Sequence, residues 1–148
     1  MRAYLVRHGE AKREDVDPER HLTDRGAEEV RRIAAAAVDN LSVRPTRILH
    51  SSKARARQTA EIWGQLVGAY VSEADSLSPN DDPAIWAARL ETDGDGVMLV
   101  GHLPHLERLA GLLVTGDADR PVAGFPAGGL VCLERSEGSW EVTARRPR

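Results

Sequence analysis

A single cysteine, Cys132, stands among 148 residues, so no disulfide can form within the chain, and such usage suits a reducing compartment. Charge of neither sign prevails: 20 Lys and Arg against 23 Asp and Glu leave a net charge of −3 and a pI near 6.0. No global field draws such a protein to nucleic acid or to an anionic membrane. Any anion it binds is held by a local cluster of positive groups. Long apolar runs are missing as well. Nothing approaches the ~20 residues of a membrane span, and the run Ala3-Tyr4-Leu5-Val6 is too short for a signal peptide; the expected location is the cytoplasm. Aromatic residues make up only 4%, yet hydrophobic residues reach 41%, and the 13 glycines bring the two groups to about half the chain. That share belongs to an ordinary globular domain rather than to a disordered or coiled-coil chain. At about 150 residues per domain there is room for one, residues 1–148, and it is long enough to fold without a metal or disulfide staple.

What is present has a clear rhythm. Ala3 to Val6 predicts a first strand that stops at Arg7-His8-Gly9, and a densely charged loop follows from Glu10 to Leu22; loops of this length are often functional. Thr23 then stands as N-cap before Val30, Ile33, Ala34, Ala37, Val38 and Leu41, spaced as one face of a helix. After Pro45, Arg47 to His50 predicts a second strand. Ser51 or Ser52 is placed to cap a helix whose apolar face holds Ala56, Thr59, Ala60, Ile62, Trp63, Leu66 and Val67, stopped by Gly68. A short third strand is expected at Ala69 to Val71, an acidic loop from Glu73 to Pro83, and a short helix from Ala84 to Leu90. Gly96 to Val100 predicts a buried strand ending at Gly101-His102, with Pro104 at the first position of a helix carrying Leu106, Leu109, Ala110 and Leu113. Gly129 to Leu133 and Trp140 to Ala144 form a closing hairpin. There are no internal repeats.

Strands alternating with helices predict an α/β fold, a mostly parallel sheet with helices on both faces and an antiparallel hairpin at one edge. Ligands of such sheets sit beyond the carboxyl ends of the strands. The residues there are Arg7-His8-Gly9, Ser51-Ser52-Lys53-Ala54-Arg55 and Gly101-His102. Two histidines, two arginines and a helix start converging on one edge suit a dianionic phosphoryl group, because guanidinium forks match its oxygens and helix N–H groups add fixed positive dipole. A histidine beside two arginines is biased toward its neutral form, which has a nitrogen free for attack. His8 is therefore a candidate nucleophile that forms a covalent phosphohistidine for water to hydrolyse. Arg7, Arg55 and a protonated His102 neutralise charge on the transferring group.

Arg7-His8-Gly9-Glu10, the run from Ser51 through Arg55 to Ala60, and Gly101-His102 together resemble the histidine phosphatase superfamily, which includes the phosphoglycerate mutases. The resemblance spans the whole chain. Leu22 to Gly26, Gly101 to Pro104 and the chain's shortness resemble most closely the small SixA-type phosphohistidine phosphatases. The resemblance implies a phosphoglycerate mutase-like fold, His8 and His102 as catalytic residues, Arg7 and Arg55 as phosphate clamps, and no metal or other cofactor. Larger members supply a glutamate as general acid after the third strand. The loop from Glu73 to Asp82 offers no carboxyl that aligns, so the general acid stays unassigned among Asp81, Asp82 and Glu10. A missing acid favours a labile substrate such as phosphohistidine, whose imidazole leaves more readily than an alkoxide.

Other readings stand beside these. Arg57 and Lys53 compete with Arg55 as the clamp, and the run Lys53 to Arg57 is otherwise a solvated helix start. His102 and His105, three apart, would need a third ligand to hold a metal. His50 is expected to be structural or supporting, His21 a loop residue, and Cys132 a small buried hydrophobe. The favoured activity is hydrolysis of a phosphohistidine protein; the alternatives are a small-molecule phosphomonoesterase and a binding module that holds phosphate without turnover. The partner is a phosphorylated protein or small molecule, not nucleic acid or membrane.

Overall fold

The computed structural model describes all residues, 1–148. Six strands form one sheet: β1 (Arg2–Arg7), β2 (Arg47–His50), β3 (Tyr70–Glu73), β4 (Val97–Gly101), β5 (Leu130–Ser136) and β6 (Ser139–Arg146). Four helices connect the first five: α1 (Asp24–Leu41), α2 (Ala54–Val67), α3 (Pro83–Asp93) and α4 (His105–Thr115). The strand order is β3-β2-β4-β1-β5-β6. The first four in that order run parallel, and β5 and β6 join antiparallel as a hairpin on the β1 side. The expected architecture is the observed one.

Side-chain alternation along the strands sorts the core into two layers. Ala3, Leu5, Leu49, Val97, Leu99, Val131 and Leu133 meet α3 and α4 on one face, around Trp86, Leu90, Leu106 and Leu109. Tyr4, Val6, Ile48, Met98, Val100, Leu130 and Cys132 meet α1 and α2 on the other, around Val30, Ala34, Ala60 and Trp63. β4, buried at every residue, lies between β1 and β2, which is why it lacks the alternation of a half-exposed strand. The indoles of Trp63, Trp86 and Trp140 are all buried in these layers, and Cys132 is buried with its thiol pushed up to about 11 by burial.

Several expectations shift. Leu66 is 47% exposed, so the apolar face of α2 is narrower than its spacing suggested and is carried by Ala56, Thr59, Ala60 and Trp63. The third strand starts one residue later and runs to Glu73, following its pairing with β2. The third helix runs from Pro83 to Asp93 because Asp82 caps it, its carboxylate accepting from the Ala84 N–H at 2.9 Å. Pro104 is the N-cap of α4 rather than its first residue. Thr23 caps α1 as expected, accepting from the Gly26 N–H at 2.9 Å. No helix is long and apolar enough to cross a membrane.

The arrangement places a crevice at one edge. The chain leaves β1 and β2 toward the α1 and α2 face and leaves β4 toward the α3 and α4 face. Adjacent strands whose connections depart to opposite faces leave an opening beyond their carboxyl ends.

Candidate active site

The strands β1, β2 and β4 end nearly level: Arg7 pairs with Gly101, and His50 with Val100. Level ends bring the residues that follow, His8, Ser51 and His102, into one place. The His8 backbone is fixed on both sides, its N–H donating to Gly101 O and its carbonyl accepting from Gly128 N, each at 3.0 Å. The rings of His8 and His102 lie 5.1 Å apart between centroids, tilted by 52°.

His8 is 9% exposed. Its Nδ1 lies 2.7 Å from the Gly9 carbonyl oxygen. A carbonyl only accepts, so Nδ1 carries the proton and the Nε2 lone pair is free. Burial is the largest influence on the ring and disfavours its charged form; the charges of Arg55, Arg7 and Arg20 add to this, against the opposing Gly9 bond, and its pKa falls to about 4. The anchor is itself anchored. Gly9 N–H donates to Thr59 Oγ1 at 3.0 Å, and that hydroxyl donates to the Arg55 carbonyl at 2.8 Å. Thr59, fully buried, thus ties the loop holding His8 to the helix turn holding Arg55, a role its place on an apolar helix face concealed. Thr59→Val keeps the shape but leaves the Gly9 N–H unpaired, and it is expected to lower unfolding free energy by about 1–3 kcal/mol in a urea titration.

Both expected clamps reach the site. Arg7 Nη1 donates to Phe125 O at 2.9 Å, which orients its head. The Nε atoms of Arg7 and Arg55 are buried with no partner in the protein. Buried donors are seldom left so, and an anion's oxygens would satisfy them. Arg57 behaves otherwise, pairing at the surface with Glu61 at 3.2 Å, so the structure separates it from Arg55. A third cation, Arg20, was not expected here. Its charge acts on His8 and on Arg55, lowering the pKa of each, after burial as the largest cause for Arg55. It sits in left-handed backbone conformation (φ 53°), with its N–H on Asp17 O at 2.9 Å and its Nε on Lys12 O at 3.0 Å.

His102 is 1% exposed. Its Nε2 lies 2.6 Å from Ser51 Oγ, which also accepts from the Lys53 N–H at 3.3 Å. Ser51 therefore serves His102, and Lys53, the N-cap of α2, makes no side-chain cap bond. His50 supports Ser51 from behind, its Nδ1 lying 2.7 Å from the Ser51 carbonyl. Burial, then the charges of His8, Arg55, Lys53 and His105, lower His102 to about 3. Without a dianion beside it the His102 ring is thus held toward its neutral form; the expectation of a protonated His102 concerns the ring with a phosphoryl group present.

A pH dependence follows. The unfolded chain takes up its histidine protons near pH 6.5, whereas folded His8 and His102 do so only near about 4 and about 3. Between those limits the unfolded state binds more protons, so stability falls as pH drops from ~6.5 toward ~4. Ring NMR at pH 5.5 is expected to find both histidines neutral, with His8 protonated on Nδ1, and added phosphate is expected to raise both values; a charged His8 ring without phosphate would contradict this geometry.

Each candidate acid makes a local hydrogen bond. Glu10 accepts from the Thr23 hydroxyl at 2.8 Å, Asp81 from the Ser78 N–H at 2.8 Å, and Asp82 from the Ala84 N–H at 2.9 Å. Burial lowers the pKa of His105, a fully buried ring whose two nitrogens lack partners, against the opposing charges of Asp81 and Asp82. No group of three or more His, Cys, Asp or Glu residues could hold a metal ion, so His102 and His105 lack the third ligand. His21 is a loop residue bonded through Nδ1 to Asp17 at 2.8 Å.

Comparisons with known proteins place this geometry in a family. The model of the Histidine phosphatase superfamily (branch 1) matches residues 3–78. Among solved structures, the protein histidine phosphatase SixA complexed with tungstate is 25% identical with a TM-score of 0.83, over 98% of this chain and 96% of that one. A SixA protein from Agrobacterium tumefaciens is 28% identical with a TM-score of 0.78, over 99% and 97%. A mycobacterial glucosyl-3-phosphoglycerate phosphatase shares the fold at 18% identity and a TM-score of 0.73, over 97% of each chain. No curated protein matches the chain. The matched segment carries Arg7, His8 and Arg55 and is about half of the sequence; the chain belongs to the histidine phosphatase superfamily and is a phosphatase.

Proposed function

We propose that this protein removes the phosphoryl group from a phosphorylated histidine of another protein, through a phosphohistidine formed on its own His8. The Nε2 lone pair of His8 attacks phosphorus while the bond to the leaving imidazole nitrogen breaks; the substrate ring, protonated beforehand on its other nitrogen, keeps the electron pair of that bond and departs as neutral imidazole. Water then attacks the His8 phosphoryl group in line and releases inorganic phosphate, returning the pair to Nε2. Arg7, Arg55 and Arg20 neutralise the equatorial oxygens, and His102, gaining a proton once a dianion is beside it, adds a donor on the same group. Guanidinium groups carry the charge neutralisation, so a chelator is expected to leave the rate unchanged.

The observation that carries the reading is the neutral His8 ring, anchored through Nδ1, beside arginine heads whose Nε donors have no protein partner. Phosphohistidine is favoured over a phosphate ester because Glu10, Asp81 and Asp82 bond to Thr23, Ser78 and Ala84 and none to Arg7, His8, Arg55 or His102, and an ester's alkoxide needs a positioned general acid where a protonated imidazole does not. The SixA neighbours point the same way. The buried lone Cys132 suits the cytoplasm. Phosphate release from a phosphohistidine protein and from an aryl phosphate ester, measured side by side, tests the substrate: a higher kcat/KM on the phosphohistidine protein is expected. Faster turnover of the ester would replace this reading with a small-molecule phosphomonoesterase, and turnover of neither would favour a phosphate-binding module.

A further inference from the structure

Arg20 stands on the loop that leaves β1, and the shape of that loop traces to one residue. Asp17 accepts from every backbone N–H over the next four positions: its carbonyl from Arg20 at 2.9 Å, and its carboxylate from Glu19 at 3.1 Å and from His21 at 2.9 Å, Pro18 having none to give. The same carboxylate takes a bond from the His21 ring, Nδ1 lying 2.8 Å from Oδ2. An ionised carboxylate only accepts, so His21 carries a proton on Nδ1. These bonds, that of the His21 backbone first and that of its ring second, hold the Asp17 carboxyl below its ordinary pKa. Lys12 closes the neck of the loop: its N–H donates to the His21 carbonyl at 2.9 Å, and its carbonyl accepts from Arg20 Nε at 3.0 Å.

What these bonds hold is unfavourable by itself. Arg20 is in left-handed backbone conformation (φ 53°), which non-glycine residues seldom adopt. Its charge works against that of Arg55, with which it lines the recess between this loop and the start of α2. A carboxylate would relieve it, yet Arg20 makes no ion pair; Glu19, on the same wall, lies 3.4 Å from His21 Nε2 instead. With Nε given to the Lys12 carbonyl, the Arg20 head is oriented by backbone, and its two terminal nitrogens make no hydrogen bond within the protein. Strain of this kind persists where the surroundings over-determine it, and it gathers at ligand clamps.

We propose that Asp17 and His21 are positioning residues for Arg20: the Asp17 carboxylate, bonded to the Glu19 and His21 N–H groups and to the His21 ring, keeps the loop in the shape that delivers the Arg20 guanidinium to the phosphoryl group. Neither touches that group. The inference rests on the phosphoryl group lying at His8.

Titration calorimetry of the full chain with inorganic phosphate tests it through a double-mutant cycle. Arg20→Ala is expected to weaken phosphate about tenfold, the size of a hydrogen bond between charged groups. Asp17→Asn sets an amide donor among donors. It is expected to weaken phosphate nearly as much when Arg20 is present, and by less than about twofold once Arg20 is already Ala, whereas a general loosening of the fold acts in both backgrounds. His21 gives a milder pair on the same bond: His21→Leu is expected to weaken phosphate about threefold, and His21→Asn, whose amide nitrogen stands where Nδ1 stood, to restore it. If Asp17→Asn does not fold, the His21 pair, read with and without Arg20, carries the same test. Equal losses with and without Arg20, or His21→Asn as weak as His21→Leu, would overturn the positioning role. So would wild-type affinity in Arg20→Ala while Arg55→Ala loses phosphate, a result that leaves the phosphoryl site standing. Phosphate binding indifferent to Arg20→Ala and Arg55→Ala alike would mean that the phosphoryl site itself is misplaced, and the inference falls with it.

Discussion

His8→Ala is expected to lower phosphate release by about 10⁴-fold or more, the scale on which enzymes lose rate when a covalent nucleophile is removed. The loss should fall almost wholly on kcat. Arg7 and Arg55 do not depend on the His8 ring for their orientation: Arg7 is held by the Phe125 carbonyl at 2.9 Å, and Arg55 is carried on α2. Inorganic phosphate should therefore bind the variant within a few-fold of the wild type. The two readouts together separate a nucleophile from a binding residue, since loss of affinity alone would place His8 among the clamps. Near-normal turnover in His8→Ala would end the covalent account.

Arg55→Ala has the second-largest expected effect. A guanidinium that meets the phosphoryl group in the ground state, and more strongly as charge develops, contributes to KM and to kcat alike, and its removal is expected to cost about 10²–10³ in kcat/KM. Stability should move little or rise. Burial and the nearby Arg20 both disfavour the charged Arg55 head, and no ion pair is lost with it. Binding sites often hold such unfavourable contacts, whose removal stabilises the fold at the expense of activity. Arg57→Ala is the matched comparison. Its head lies in an exposed pair with Glu61, and kcat/KM is expected to stay within about twofold because such pairs contribute little. A large effect at Arg57 and none at Arg55 would mean that the clamp has been read at the wrong turn of α2.

Much of this was legible in the order of residues. The strand ends announce themselves because apolar runs stop at glycine or at polar residues, and once a parallel sheet is inferred its carboxyl edge must gather His8, Ser51 and His102. Thr23 signals its helix by the bond it can make to the N–H three residues on, and that bond is present. What escaped depends on groups distant in sequence. Arg20 enters the site only because the loop folds back on itself, with Lys12 O and Asp17 O holding a conformation that no local preference of arginine would indicate. Ser51 looked like a helix cap; its hydroxyl instead meets His102, 51 residues away. The neutrality of His102 could not be read either, since burial dominates its proton affinity and burial is a property of the packed molecule. The third helix is different, because the Asp82-Pro83 start signal was there to be used.

The covalent step is the centre of the account, and the most direct test is to look for the intermediate itself. Enzyme caught during turnover of a phosphohistidine protein by an alkaline quench, which preserves phosphohistidine, can be digested and mapped by mass spectrometry. The account predicts one added phosphoryl group on His8, absent from the His8→Ala variant and lost on brief treatment with acid. A phosphoryl group on His102 or His105 instead, or full turnover with none on His8 when its formation is faster than its hydrolysis, would contradict it.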